Sequence, residues 1–338
     1  MRYALEEYVF NDFNASSKAR KDVSYFVLQN GFKTLGKNDK TKIKNSKFSK
    51  ALMAFRLYLK LFFTLGKKDV VFLQTSYVVL KPILLMKKIK RFKVAYLIHD
   101  LFSLSFTEED SIKEHESEIR KDIRVLSQCD YVIAHNPSMV EKLKAFGCKS
   151  QLISLGIFDY YTELPANRRE HKANSEWRVA FAGALSKSPF LMDIDRTQHK
   201  YKMIIYGLPK KEFVSSDYKG SVDADILPSV IEGDFGLIWE GNYQVTKENN
   251  YTRFNNPHKM SMYIVAGLPI ICWKESAAAK FVEKYNLGFS IETLDEIDAK
   301  LETISVFDYQ TMVDNCLKMR ESLIQGTHVQ HALKEIKI

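Results

Sequence analysis

Short runs of almost wholly apolar residues recur along this 338-residue chain, and segments with helical periodicity separate them. DVVFLQT (residues 69–75), KVAYLIHD (93–100), DYVIAHN (130–136) and QLISLGI (151–157) form a first series. Between them stand amphipathic stretches such as SIKEHESEIRKDIRVLSQ (111–128) and PSMVEKLKAFG (137–147), the latter with a proline at its start and a glycine at its end. Strands without polar alternation are buried on both faces, and strand–helix alternation builds a parallel sheet covered by helices. The pattern lapses over residues 159–177, DYYTELPANRREHKANSEW, and then resumes with RVAFAG (178–183), YKMIIYG (201–207), FGLIWEG (235–241), PIICW (269–273) and GFSI (288–291). The expected organisation is therefore α/β in two units. A first domain spans 1–158, a linker 159–177 and a second domain 178–325. A C-terminal helix over 326–338 is expected to pack back on the first domain.

With 46% hydrophobic residues the chain can bury two cores. Its formal charge of +9 suits an anionic partner: a phosphorylated small molecule, a membrane surface or nucleic acid. Nucleic acid is disfavoured, because no aromatic-interleaved basic module accompanies the charge. Cys129, Cys148, Cys272 and Cys316 have no metal-binding spacing and read as reduced structural thiols, which fits a reducing cytoplasm. Glu6 and Glu7 break the N-terminal apolar run, so it does not read as a signal peptide. No apolar run approaches the ~18 residues of a membrane span. The expected location is cytoplasmic, with attachment to the inner face of the membrane left open.

Ligands of parallel sheets bind beyond the carboxyl ends of the strands, so the polar groups delivered there are the candidates. The first series delivers His99 and Asp100 after one strand and His135 after another. Asp100 could serve as a general base toward a hydroxyl, with His99 and His135 contacting an acceptor; an isolated histidine at a strand end is more often a structural group. FAGALSKS turns at Gly183, where a ligand can approach the backbone, and offers Ser186 and Lys187 to a diphosphate. It matches neither GxGxxG nor a P-loop. Glu240 ends the strand FGLIWEG and could accept hydrogen bonds from sugar hydroxyls.

The densest polar cluster is FNNPHKMSMYIVAG, in which NNPHK opens an apolar helix. Asn255 or Asn256 could cap it, with Pro257 in its first turn. A helix start exposes N–H groups and partial positive charge, and Lys259 adds a full one. Five polar groups exceed what a cap needs and point to a phosphate ligand. A further small-polar and basic loop, NDFNASSKARKD (11–22), could close Ser16, Ser17 and Lys18 over a phosphate. The stretch 37–63, opening at Lys37 and closing at Phe63, runs from lysines into ALMAFRLYLKLFF. It suits either an anionic membrane surface or a solvated loop followed by a core helix.

The ordered set FNASSKARKD, LIHD, AHNPSM, IFDY, FAGALS, FGLIWEG, NNPHKMSMYIVAGLPIICW and KESAAAKFV resembles bacterial galactofuranosyltransferases of surface-polysaccharide synthesis. The group is similar to the glucosyltransferases that extend O-linked GlcNAc on streptococcal serine-rich adhesins. The resemblance covers nearly the whole chain. It implies a GT-B fold, two facing Rossmann-like domains with parallel sheets and a central cleft. It also implies a UDP-sugar donor, no metal and no other cofactor. Carried onto this sequence, Lys187 and Lys259 look like diphosphate contacts, Asn256, His258 and Ser261 complete the donor motif, and Ser16 to Lys18 look like the first-domain loop over the donor. The NNPH form before the lysine favours galactofuranose over glucose. The expected acceptor is a growing, lipid-linked glycan. A glucosyltransferase acting on protein-linked GlcNAc, or a non-catalytic glycosyltransferase-like subunit, stays open, as does a homo-oligomer.

Overall fold

The computed structural model describes residues 1–8, 15–39, 47–75, 77–106, 109–166, 169–242 and 247–337. The chain divides into two units, Met1–Asp159 with Gly326–Ile338, and Tyr160–Gln325.

The first unit runs β1 (Arg2–Tyr8), α1 (Ala15–Gln29), β2 (Lys33–Asp39), α2 (Lys47–Thr64), β3 (Val70–Leu73), α3 (Tyr77–Lys90), β4 (Lys93–Leu97), α4 (Glu109–Leu126), β5 (Tyr131–Ala134), α5 (Pro137–Ala145) and β6 (Gln151–Ser154). All pairings are parallel, in the order β2-β1-β3-β4-β5-β6. Strands β3 and β5 are buried at every position, which explains their unbroken apolar sequences. The start of α5 forms as its sequence dictates. Pro137 occupies the first turn, and Asn136 accepts a hydrogen bond from the Met139 N–H at 3.0 Å.

The second unit runs β7 (Trp177–Ala182), α6 (Phe190–Arg196), β8 (Tyr201–Tyr206), β9 (Asp217–Gly220), α7 (Leu227–Val230), β10 (Phe235–Ile238), α8 (His258–Val265), β11 (Ile270–Trp273), α9 (Ala277–Tyr285), β12 (Gly288–Ile291), α10 (Glu296–Thr303) and α11 (Val306–Ile324). The final helix, α12 (Thr327–Lys334), belongs to the first unit. The second sheet is also parallel, ordered β12-β11-β10-β7-β8-β9. Counted from its own first strand, that is the 3-2-1-4-5-6 order of a dinucleotide-binding sheet. Its core gathers Phe181, Phe190, Leu237, Trp239, Ile271 and Tyr309.

Residues 160–177, expected as linker, pack on the second unit. Arg169 donates to the carbonyls of Ile231 (2.7 Å), Gly233 (3.0 Å) and Ala266 (3.1 Å). His171 stacks on Trp177 with ring centroids 3.4 Å apart. Residues 172–176 are exposed, but Arg169 ties the stretch to backbone carbonyls of the second unit. Three strands escaped the sequence reading: β1, β2 and β9. Two of them are polar sheet edges, and β1 carries Glu6 and Glu7.

Candidate functional site

Each sheet has one point where its connections leave in opposite directions, and a crevice opens there beyond the strand ends. In the second unit this point lies between β7 and β10. Gly183 follows β7 directly, and Glu240 follows β10 after Trp239. The helix α8 begins on the connection from β10. Its N-cap position is Pro257, which has no side-chain group to cap it, and not Asn255 or Asn256 as the sequence suggests. Both asparagines are buried, and the Asn255 Oδ1 has no hydrogen-bond partner. In the first turn the Met260 N–H donates to the Pro257 carbonyl at 2.9 Å.

Side-chain geometry fixes α8 against the sheet. The Tyr263 ring lies over Gly236 of β10, so closely that a Cβ there would sit 2.4 Å from the ring. Its hydroxyl accepts from the Ala182 N–H at 2.9 Å and lies 3.3 Å from the Leu237 carbonyl. One turn earlier, Lys259 follows from that placement. Its Nζ is 4.6 Å from the centre of the Phe181 ring and 3.4 Å from where a Gly183 side chain would begin. Burial holds the Lys259 ammonium below the usual lysine range, and Glu240 partly opposes that shift. At the other end of α8, Arg169 donates to Ala266 and Arg320 to the Val265 carbonyl at 2.6 Å. Two guanidiniums therefore satisfy the negative end of the helix, and its positive end lies toward the edge after β7 and β10.

Gly183, Lys259 and Glu240 come together at this edge. Ser186 and Lys187 lie exposed on the 3₁₀ turn just after Gly183. Asn256 and Ser261 are buried at the start of α8, and His258 stacks on Tyr160 at 4.9 Å. The sequence reading missed Tyr263, Gly236, Arg169 and Arg320. Nothing in their immediate sequence distinguishes them, since they act on backbone brought close only by folding.

In the first unit the switch point lies between β1 and β3. Ser17 and Lys18 are buried in α1, and the Lys18 Nζ is 2.6 Å from the Asp22 carboxylate. The side chain of Ser16 lies outside the described residues. His99 is half-buried, its Nε2 2.7 Å from the Gln74 Oε1 and its ring stacked on Phe158. Asp100 is exposed. His135 is buried, with its Nε2 donating to the Ile98 carbonyl at 3.1 Å, and burial pulls its pKa down to about 4. This buried neutral imidazole supports the strand ends and presents no surface to an acceptor sugar.

The sequence matches the family described as glucosyltransferase 3-like at both of its domains, the N-terminal over residues 3–157 and the C-terminal over residues 179–336. The chain belongs to the glucosyltransferase 3-like family. Among relatives, it is 26% identical over 266 residues to the β-1,6-galactofuranosyltransferase WbbI of Escherichia coli K12, covering 74% of this chain and 72% of that protein. It is 23% identical over 256 residues to glucosyltransferase 3 of Streptococcus parasanguinis, with the same coverage. The Anabaena protein HepE, solved with UDP and glucose, superposes with a TM-score of 0.63 at 12% identity, covering 99% of this chain and 98% of that one. The fold is GT-B, with one Rossmann-like parallel sheet in each unit. The protein is accordingly a glycosyltransferase, and the resemblance drawn from the sequence holds at the level of family and fold.

Proposed function

We propose that this protein transfers galactofuranose from UDP-galactofuranose, with inversion, to a hydroxyl of a growing, lipid-linked cell-surface glycan. The observation that carries the reading is Lys259, whose partly desolvated ammonium stands against Gly183 at the start of α8. A diphosphate leaving group gains negative charge as the glycosidic bond breaks. Lys259, Lys187 and the positive end of α8 supply fixed positive charge for it, and no metal is invoked. Glu240 and the polar groups of the NNPHK segment would orient the donor. The sugar assignment draws on the WbbI match. Asp100, exposed beside His99, is the proposed base that takes the acceptor proton as its oxygen attacks the anomeric carbon.

Calorimetric titration with UDP in EDTA tests the site. Micromolar binding that falls about 10–100-fold in Lys259→Ala is expected, the range for losing a charged hydrogen bond of ~1.5–3 kcal/mol. A folded wild type that ignores UDP would overturn the reading. A second reading, glucosyl transfer from UDP-glucose to protein-linked GlcNAc, is favoured by the family description and the streptococcal match. Donor hydrolysis with each UDP-sugar decides between them.

A lipid-linked acceptor calls for membrane attachment, and the first unit offers a surface for it. Phe55, Leu59, Phe62 and Phe63 of α2 are exposed at helical spacing, as are Leu85 and Ile89 of α3. The Lys90 Nζ lies 4.8 Å from the Phe62 ring, so the two stripes adjoin. Neither helix carries an acidic residue, and α3 ends in Lys87, Lys88 and Lys90. This arrangement favours an anionic bilayer over the plain core helix. No helix among the described residues is long and apolar enough to cross a membrane. Residues 40–46 of the lysine-rich stretch lie outside the described residues. Flotation with phosphatidylglycerol vesicles should carry the wild type but not Phe63→Glu/Ile89→Glu. Equal behaviour of the two would remove the membrane claim.

A further inference from the structure

Tyr160 opens the second unit, and the transferase reading leaves it without a role. It is 1% exposed, and three separate segments of that unit meet on it. Its N–H donates to the Leu323 carbonyl, near the end of α11, at 3.2 Å. Its hydroxyl donates to the Ala224 carbonyl, on the connection from β9 to α7. Its ring lies along the imidazole of His258, with centroids 4.9 Å apart and planes inclined by 21°. His258 is the first residue of α8, the neighbour of Lys259, and half-buried.

These contacts act together on one ring. The two hydrogen bonds hold the backbone and the tip of the side chain, so they fix where the long axis of the phenol runs. Close packing around a buried ring then stops it turning about that axis. The flat face offered to His258 is therefore a fixed one. An imidazole has one soft torsion, rotation about its Cβ–Cγ bond, and that torsion decides where both ring nitrogens lie. A ring stacked on a fixed face loses the contact when it rotates. Aromatic contacts of this geometry are worth about 2–10-fold in an equilibrium beyond the area they bury. Tyr160 thus biases the direction of a side chain at the start of α8, from a stretch of chain whose sequence reads as linker.

We infer that Tyr160 is a positioning residue of the donor site, whose ring holds the His258 imidazole in the orientation from which it contacts the sugar nucleotide. The hydroxyl serves as an anchor for the ring, so the site requires the flat face and not the oxygen. The inference rests on the transferase reading for what His258 touches, and the stack itself stands on geometry.

The test has two arms on the full chain. The first is a double-mutant cycle read by calorimetric titration with UDP, using Tyr160→Leu, His258→Ala and the two together. Tyr160→Leu should weaken UDP binding about 2–10-fold, the worth of the lost stack. Tyr160→Phe keeps the face and should stay within about 2-fold of the wild type. In the His258→Ala background, Tyr160→Leu should have no further effect on UDP. A tyrosine that only supports the fold would weaken UDP binding by the same factor in both backgrounds, and that result overturns the inference. So does a folded Tyr160→Leu with wild-type affinity. The second arm needs no Tyr160 variant. In ¹H–¹³C NMR of the wild type, the His258 ring protons, assigned by their loss in His258→Ala, should be shifted upfield by the phenol ring current. They should keep that shift when UDP saturates the protein. A shift lost on saturation means that the stack opens as the donor binds, and it overturns the inference even where Tyr160→Leu fails to fold. A wild type that binds no UDP overturns the transferase reading and this inference with it, and that outcome is seen before any substitution is made.

Discussion

At the scale of single residues, the proposed donor site is a charge held where water is scarce. Lys259 sits below its ordinary pKa because burial penalises the ammonium, and Glu240 compensates only in part. That has a consequence for stability. Between the lowered folded value and 10.5 the unfolded chain binds more protons than the folded one, so stability rises with pH across that window. Below it the penalty is constant and fully present. Replacing the lysine by an apolar residue of similar length removes the penalty. Lys259→Met should therefore have a higher urea midpoint than the wild type at neutral pH. The gap should narrow as pH climbs toward 10.5, and UDP binding should be weakened throughout. A variant less stable than wild type at neutral pH would show that the ammonium is already well solvated or paired. The residue scale is also where sequence reading divides most sharply. Gly183, Glu240 and Lys259 were legible because each stands at a strand end or helix start, where chain position already implies the edge of a sheet. His135 stands at such an end too, yet its ring is turned inward to the Ile98 carbonyl. Position along the chain locates the edge but says nothing of which way the side chain turns.

At the scale of elements, α8 is the part that converts fold into site. Seven consecutive residues, Met260 to Ala266, are buried. Full burial of side chains such as Ile264 and Val265 contributes ~1.5–3 kcal/mol each. Hydrophobic burial alone would let a short helix slide or rotate, and Tyr263 prevents it. Its hydroxyl accepts from Ala182 at the end of β7, and its ring fills the space that Gly236 leaves on β10. Tyr263→Phe leaves the Ala182 N–H without its partner in the core, at a cost of about 1–3 kcal/mol. Gly236→Ala forces a methyl group into the ring, and overpacking of this kind costs about 1–3 kcal/mol. Both variants should lower the urea midpoint and weaken UDP binding together, because Lys259 moves with the helix. A loss of stability with UDP affinity intact would detach Tyr263 from the site. The elements themselves were mostly readable. Strands buried on both faces announce themselves as apolar runs, and α5 carries its own start signal. The strands β2 and β9 did not, because a sheet edge can keep Lys, Asp and Asn in strand conformation at no burial cost.

At the scale of the whole molecule, the chain passes between its units twice, at residues 159/160 and again at 325/326. Each side of this double passage is tied within its own unit. In the second unit, the Tyr160 N–H donates to the Leu323 carbonyl at 3.2 Å. In the first, the fully buried Asp159 carboxylate accepts from the Val329 N–H at 2.7 Å and from the His328 N–H at 3.3 Å, with the His328 Nδ1 3.0 Å away. Asp159 thus serves as the cap that α12 lacks in its own sequence, where Gly326 holds the cap position without a side chain. The helix then buries Val329, Ala332, Leu333 and Ile336, and it packs on α1. A carboxylate 169 residues away capping a helix leaves no local signal, which is why residues 159–177 read as a linker from its first residue. The dependence can be measured. Asp159→Ala strands two backbone donors at a buried helix start, and each buried group left unpaired costs about 1–3 kcal/mol. Hydrogen exchange followed by mass spectrometry should then quicken in α12 and α1, while β7, β10 and α8 keep wild-type protection. UDP binding should persist, because the proposed donor site around Lys259 is built within the second unit. Exchange that quickens equally in both units would mean that the cap supports the whole chain and not the first unit alone.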